Sequence, residues 1–116
     1  MNTVTVQSGE VIDLGYQYDN KATQVVFLSD IISPFFTTYG SGGTFEIWFR
    51  RNGEPTGEVL DSSRYTQSAT AITWLLTEDD LATPGNAQVQ LRYLKDEHEV
   101  MSEVFSAYIH DSVDIE

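Results

Sequence analysis

Two runs of alternating residues constrain this chain more than any other feature. In Thr44–Arg51, Phe45, Ile47 and Phe49 alternate with Glu46, Trp48 and Arg50. In Ala87–Leu94, Ala87, Val89, Leu91 and Tyr93 alternate with Gln88, Gln90, Arg92 and Leu94. Successive side chains on a β-strand point to opposite faces, so each run predicts a strand with one face in a core and the other towards solvent. Almost nowhere does the chain carry an apolar stripe at helical spacing, so the pattern points to an all-β domain.

The remaining segments fit that frame. Thr3–Gln7 and Glu10–Gln17 read as two short strands. The polar stretch Tyr18–Ala22 turns the chain into Gln24–Leu28, which is apolar on both faces and predicts a buried central strand. Ser33-Pro34 suits an N-cap with proline at the first helical position, placing Phe35, Phe36 and Tyr39 on a short helical turn that ends at Gly40–Gly43. Asn52-Gly53 is a type I′ hairpin signal, and Pro55 on the returning side predicts an edge strand. Asp61–Thr70 is polar and predicts a loop or irregular strand, after which Ala71–Leu75 resumes the sheet.

Thr77 with Glu78, Asp79 and Asp80 resembles a helix start, which Thr83-Pro84-Gly85 ends within about a turn. Lys95–His98 then forms a polar tip and Val100–Ile109 runs back as one strand. The expected architecture is a small antiparallel β-sandwich, Ig-like or jelly-roll-like, with one or two short helical turns, forming a single domain over residues 1–116. Its expected core is Phe45, Ile47, Phe49, Ile72, Val89, Leu91, Val104 and Phe105, with Val25, Val26 and Phe27 on the central strand. Trp74 belongs on the core side as well.

Charge narrows the function. Six Lys and Arg against eighteen Asp and Glu give a formal charge of -12. Nucleic acid and anionic membrane would be repelled before specific contacts formed. Without cysteine there is no disulfide, thiolate nucleophile or thiolate-ligated zinc. The start MNTVTVQSGEV has neither the basic nor the apolar region of a signal peptide, and no apolar run approaches the ~20 residues of a membrane span.

Candidate chemistry is sparse. His98 and His110, the two histidines, have no partner at a metal or triad spacing, and His98 reads as a solvated turn residue. No nucleophile elbow, zinc-binding helix motif or phosphate-binding glycine loop is present. The acidic groups Glu78-Asp79-Asp80 and Asp96-Glu97 with Glu99 follow no calcium-loop pattern and read as a helix N-terminus and a solvated turn. No catalytic, cofactor-binding or metal-binding residue is assigned, and the expectation is a protein without enzymatic activity.

Trp48 is the exception to a bland surface, because strand parity puts it on the solvent side between Glu46 and Arg50. Three fates are open to it: a sugar-stacking platform, a contact in an assembly, or cover by loops of its own domain. Glu46, Trp48 and Arg50 are therefore the candidate protein-contact residues. Tryptophan and arginine are enriched among interface anchors, and an uncovered edge invites a partner chain.

The segments DLGYQYDNKATQVVF, YGSGGTFEIWFRRNGE, TWLLTEDDLATPGNAQVQLRY and SEVFSAYIHDSV resemble the small β-sandwich domains of phage structural proteins. They are similar in particular to the N-terminal domain of baseplate upper protein and related prophage fibre proteins. The likeness spans about residues 11–113, and its most specific piece is the Leu-Thr-x-x-x-Leu-Ala-x-Pro-Gly corner at Leu76–Gly85. The resemblance implies a non-enzymatic docking or assembly module located in the virion after synthesis in the bacterial cytoplasm. Its partners would be other virion proteins or further copies of itself, often as a trimer, with no nucleic acid, membrane or cofactor. It also implies the N-terminal part of a longer protein. The alternative is a carbohydrate-binding module, with Trp48 and either Tyr93 or Tyr108 as stacking surfaces, or an Ig-like adhesion module.

Overall fold

The computed structural model describes residues 1–111; Ser112–Glu116, counted in the domain above, lie outside the described residues. The chain runs through β1 (Asn2–Thr5), β2 (Ile12–Tyr16), β3 (Thr23–Leu28), α1 (Ser29–Tyr39), β4 (Thr44–Arg50), β5 (Glu58–Val59), a 3-10 turn (Ser62–Arg64), β6 (Tyr65–Gln67) and β7 (Ala71–Leu75). It finishes with β8 (Gly85–Lys95), β9 (His98–Met101) and β10 (Phe105–His110).

The strands form two sheets. One is four-stranded in the order β1-β3-β7-β6; the other is six-stranded, with β2-β10-β8-β4-β5 in order and β9 paired to β8 beyond β10. The expected sandwich is thus present, but it is mixed rather than purely antiparallel, because β1 runs parallel to β3 and β2 parallel to β10. Both parallel pairs involve the N-terminal segment, which places one strand in each sheet and so ties the two layers together.

Phe45, Ile47 and Phe49 of β4 and Ala87, Val89, Leu91 and Tyr93 of β8 all turn inward and are buried, meeting Val25, Phe27, Ile72 and Trp74 from the facing sheet. Phe49 lies edge-on to Trp74 with ring centroids 5.1 Å apart. The expected core is correct except at Val104, which is 51% exposed. Val100–Ile109 is not one strand: Ser102–Val104 break it. There Ser102 N–H donates to Leu91 O (2.8 Å) and the Ser102 hydroxyl accepts from Leu91 N–H (2.9 Å). This irregularity separates β9 from β10 and turns Val104 outward while Phe105 stays in the core.

The helix is longer than the proline suggests. It spans 11 residues with Leu28 at the N-cap, and Pro34 lies inside it rather than at its first position. Pro34 cannot donate to the carbonyl of Asp30. The preceding turn is held in the helix by Ile32, which is fully buried, and by Ile31, which packs against the core. Phe35 and Phe36 close one end of the sandwich against Phe45 and Tyr93. The buried Tyr93 hydroxyl donates to Gly40 O and accepts from Gly43 N–H. Gly43 has no room for a side chain, since a Cβ there would come within 2.6 Å of the Tyr93 ring and 2.5 Å of Leu94 O.

Asn52-Gly53 does turn the chain, although not as a two-residue type I′ hairpin. Gly53 has φ +83 whereas Asn52 is not among the residues of positive φ, and Glu54 N–H closes the turn on Arg51 O. The return pairs through Trp48↔Val59 and Phe49↔Glu58 only, as a short edge strand on the side where Pro55 places it.

Tyr65 joins the layers on this side, its hydroxyl donating to Phe45 O at 2.9 Å. Burial raises its phenol above the ordinary value of 10.0, and the carboxylates of Glu46 and Asp61 push in the same direction. A folded-state pKa above the unfolded one contributes stability that is complete below the unfolded value and is lost as pH rises through the folded one. Stability to denaturant should therefore fall between pH 10.0 and higher pH. The Tyr65→Phe variant should start about 1 kcal/mol lower through loss of the hydrogen bond, and its alkaline decline should be shallower. Parallel declines would exclude Tyr65 as the source.

Candidate functional site

The outer face of the six-stranded sheet gathers the residues that β4 and β8 turn away from the core. Ladder register places Glu46 beside Arg92, Trp48 beside Gln90 and Arg50 beside Gln88, with Val59 on the other flank of Trp48 and Met101 beside Arg92. Glu46, Trp48 and Arg50 are indeed on one face, with Arg50 exposed and the other two half-buried.

Arg92 organises this patch. Its guanidinium lies 5.6 Å from the Trp48 ring centroid, 2.7 Å from Glu99 and 3.6 Å from Glu46. Part of the indole is therefore covered by Arg92 of its own sheet, and Trp48 Nε1 is buried without a hydrogen-bond partner. Arg50 bonds to Gln88. Gln90 holds the irregularity after β9 by donating to Ser102 O at 2.7 Å.

These positions frame an open groove of about 180 Å³ across β8, with Trp48, Arg50 and Gly57 on one side, Val104 on the other and Gln88 and Gln90 along the floor. Val59 and Met101, both exposed, extend its apolar rim. The alternation of β8 put Gln88, Gln90 and Arg92 on one outward face, but their pairing with β4 comes from the register of the sheet. Val104 and Met101 were not legible on that face, because their orientation depends on the break at Ser102.

The other candidates separate. Asp80 is fully buried and pairs with Arg64 at 2.5 Å while accepting from Thr77 N–H. Thr77–Leu81 makes one turn, closed by Leu81 N–H on Thr77 O. Glu99 belongs to the Arg92 network and Asp96 lies 3.7 Å from Lys95. His98 is exposed at the tip, its ring 5.4 Å from that of Tyr39. Among the described residues, no cluster of three or more His, Asp or Glu could hold a metal ion. Tyr93, one of the two tyrosines of the stacking alternative, is fully buried and offers no surface, whereas Tyr108 is exposed. Trp74 is fully buried.

What this face displays is a half-buried aromatic ring among paired charges. It carries no nucleophile paired with a base, and its charges are matched: Arg50 and Arg92 stand with Glu46 and Glu99. No protein-family model matches the chain, and no curated protein matches its sequence.

Proposed function

We propose that the chain is a non-enzymatic assembly module, a structural domain of a phage or prophage virion that docks or assembles a baseplate or fibre protein. Its contact surface in this reading is the outer face centred on Trp48. One observation carries the contact reading: a half-buried tryptophan set between Arg92 and exposed Val59, on a charge-matched patch of a chain with a formal charge of -12. Self-repulsion keeps strongly charged copies apart, so a balanced apolar patch is where a second chain meets least resistance. Aromatic and arginine anchors are what protein interfaces concentrate near their centres, with polar groups around the rim. The virion assignment rests on the resemblance of the strand framework and the Leu76–Gly85 corner.

Trp48→Ala should leave the fold intact and weaken assembly by about 30-fold, the equivalent of losing a 2 kcal/mol anchor. Sedimentation velocity over a concentration series compares the variant with the wild type, and far-ultraviolet circular dichroism checks the fold. Unchanged assembly with a destabilised monomer would reduce Trp48 to a packing residue. Flanking genes that encode no capsid or tail proteins would remove the virion assignment while leaving the contact surface standing.

A further inference from the structure

A second surface, at the corner where β2 pairs with β10, has a different chemistry. His110 stands at its centre: its ring centroid is 4.9 Å from that of Tyr16, tilted by 32°, and 5.0 Å from that of Tyr108, at 80°. His110 Nε2 lies 3.1 Å from Asp13 Oδ1, the same oxygen that accepts from Gly15 N–H at 3.0 Å. Despite this packing the rings are open to solvent, Tyr16 by 56% and Tyr108 by 38%.

The backbone is shaped to present them. The β2–β10 register shifts between Tyr108 and His110, pairing His110 with Tyr16. Uninterrupted alternation from the buried Ile12 and Leu14 would have turned Tyr16 inward. Gly15, at φ +98, makes the departure; a side chain there would be strained and would meet Asp19 Oδ2 at 3.2 Å.

Tyr16 is also the aromatic wall of an open depression of about 330 Å³, lined besides by Val4 and Gly15 and by the polar side chains of Asn2, Thr3, Asp13, Asp19 and Thr23. Asp19 Oδ2 accepts from Tyr16 N–H at 3.1 Å, which holds this carboxylate beside the ring. The corner thus combines open aromatic faces, two carboxylates able to accept from hydroxyls, and amide and hydroxyl groups within the reach of a small ligand.

We propose that this corner binds an uncharged saccharide of one or two sugar rings. The apolar C–H face of a pyranose packs on Tyr16, with His110 tilted by 32° beside that ring and Tyr108 standing edge-on to His110 as a second aromatic contact, and its hydroxyls donate to Asp13 and Asp19. Charge selects among ligands: the carboxylates and the formal charge of -12 repel phosphates, nucleotides and acidic sugars. A purely apolar ligand would strand the polar lining without partners. The volume falls at the small end of ligand sites, about 300–1,000 Å³, where one or two rings fit.

The test is saturation-transfer difference NMR on the wild-type chain with maltose, cellobiose, lactose and the disaccharide of N-acetylglucosamine. At least one should receive saturation, and Tyr16→Ala and Tyr108→Ala should each weaken its binding by about 10-fold, with Tyr16→Phe restoring it. Trp48→Ala should bind as the wild type does, which separates this site from the assembly surface. Amide spectra of each variant confirm the fold. No binding at about 10 mM sugar, which would place Kd beyond the millimolar range, overturns the proposal. So does binding insensitive to both tyrosine variants, or a tyrosine variant that dissociates the assembly instead, which would make the corner part of a protein interface.

Discussion

Replacing Phe49 with alanine is expected to destabilise the fold by about 3–5 kcal/mol, the range for deleting a large side chain from a packed core. Phe49 is fully buried near the C-terminal end of β4, edge-on to Trp74 across the two sheets, with the Arg51 guanidinium 4.9 Å from its ring centroid. Its strand is hydrogen-bonded on both sides, to β5 and to β8, so the backbone has little freedom to collapse into the cavity. The loss should appear in a denaturant titration as a lower midpoint with an unchanged slope. A loss below about 1 kcal/mol would mean that the neighbouring side chains refill the site.

Arg64→Met is expected to cost about 2–4 kcal/mol, below the full range for broken buried pairs because the Arg64 side chain is itself 30% exposed. Asp80 has a side chain only 1% exposed; its Oδ2 is held by Arg64 and by Thr77, and its Oδ1 has no partner. Removing the guanidinium leaves a buried carboxylate with only the Thr77 donors. Adding Asp80→Asn to Arg64→Met removes that charge and should recover about half of the loss. Equal losses in the single and double variants would show that Arg64 contributes packing rather than charge compensation. Arg51 supports the same segment from the other side, donating to Asp80 O at 3.2 Å and Asp79 O at 3.3 Å. The acidic run at Glu78–Asp80 is therefore an anchor for the loop before β8 as well as the turn its composition predicts.

The candidate site was legible in its strands and illegible in its neighbours. Glu46, Trp48 and Arg50 share a face because alternation along β4 has no other solution once Phe45, Ile47 and Phe49 are buried. That Arg92 covers the indole depends on the β4–β8 register, and register between segments some forty residues apart is set by the whole core. Of the second corner only Tyr108 was legible from the sequence, as a possible stacking surface, and its neighbours there were not. Tyr16 and His110 are separated by most of the chain and meet only because β2 lies parallel to β10.

The sequence by itself determined where most of the strands fall and which side chains of β4 and β8 enter the core. These follow from side-chain alternation, which needs no knowledge of distant partners. Only the tertiary structure decided that the sheets are mixed, that α1 continues through Pro34, that Val104 faces outward and that Asp80 is buried against Arg64. Each of these turns on a non-local contact: Ile32 in the core outweighs a missing helix hydrogen bond, Ser102 breaks a strand by bonding Leu91, and an arginine sixteen residues away compensates a buried carboxylate. Local periodicity carries no record of such contacts, because they depend on which distant surfaces the closing sandwich brings together.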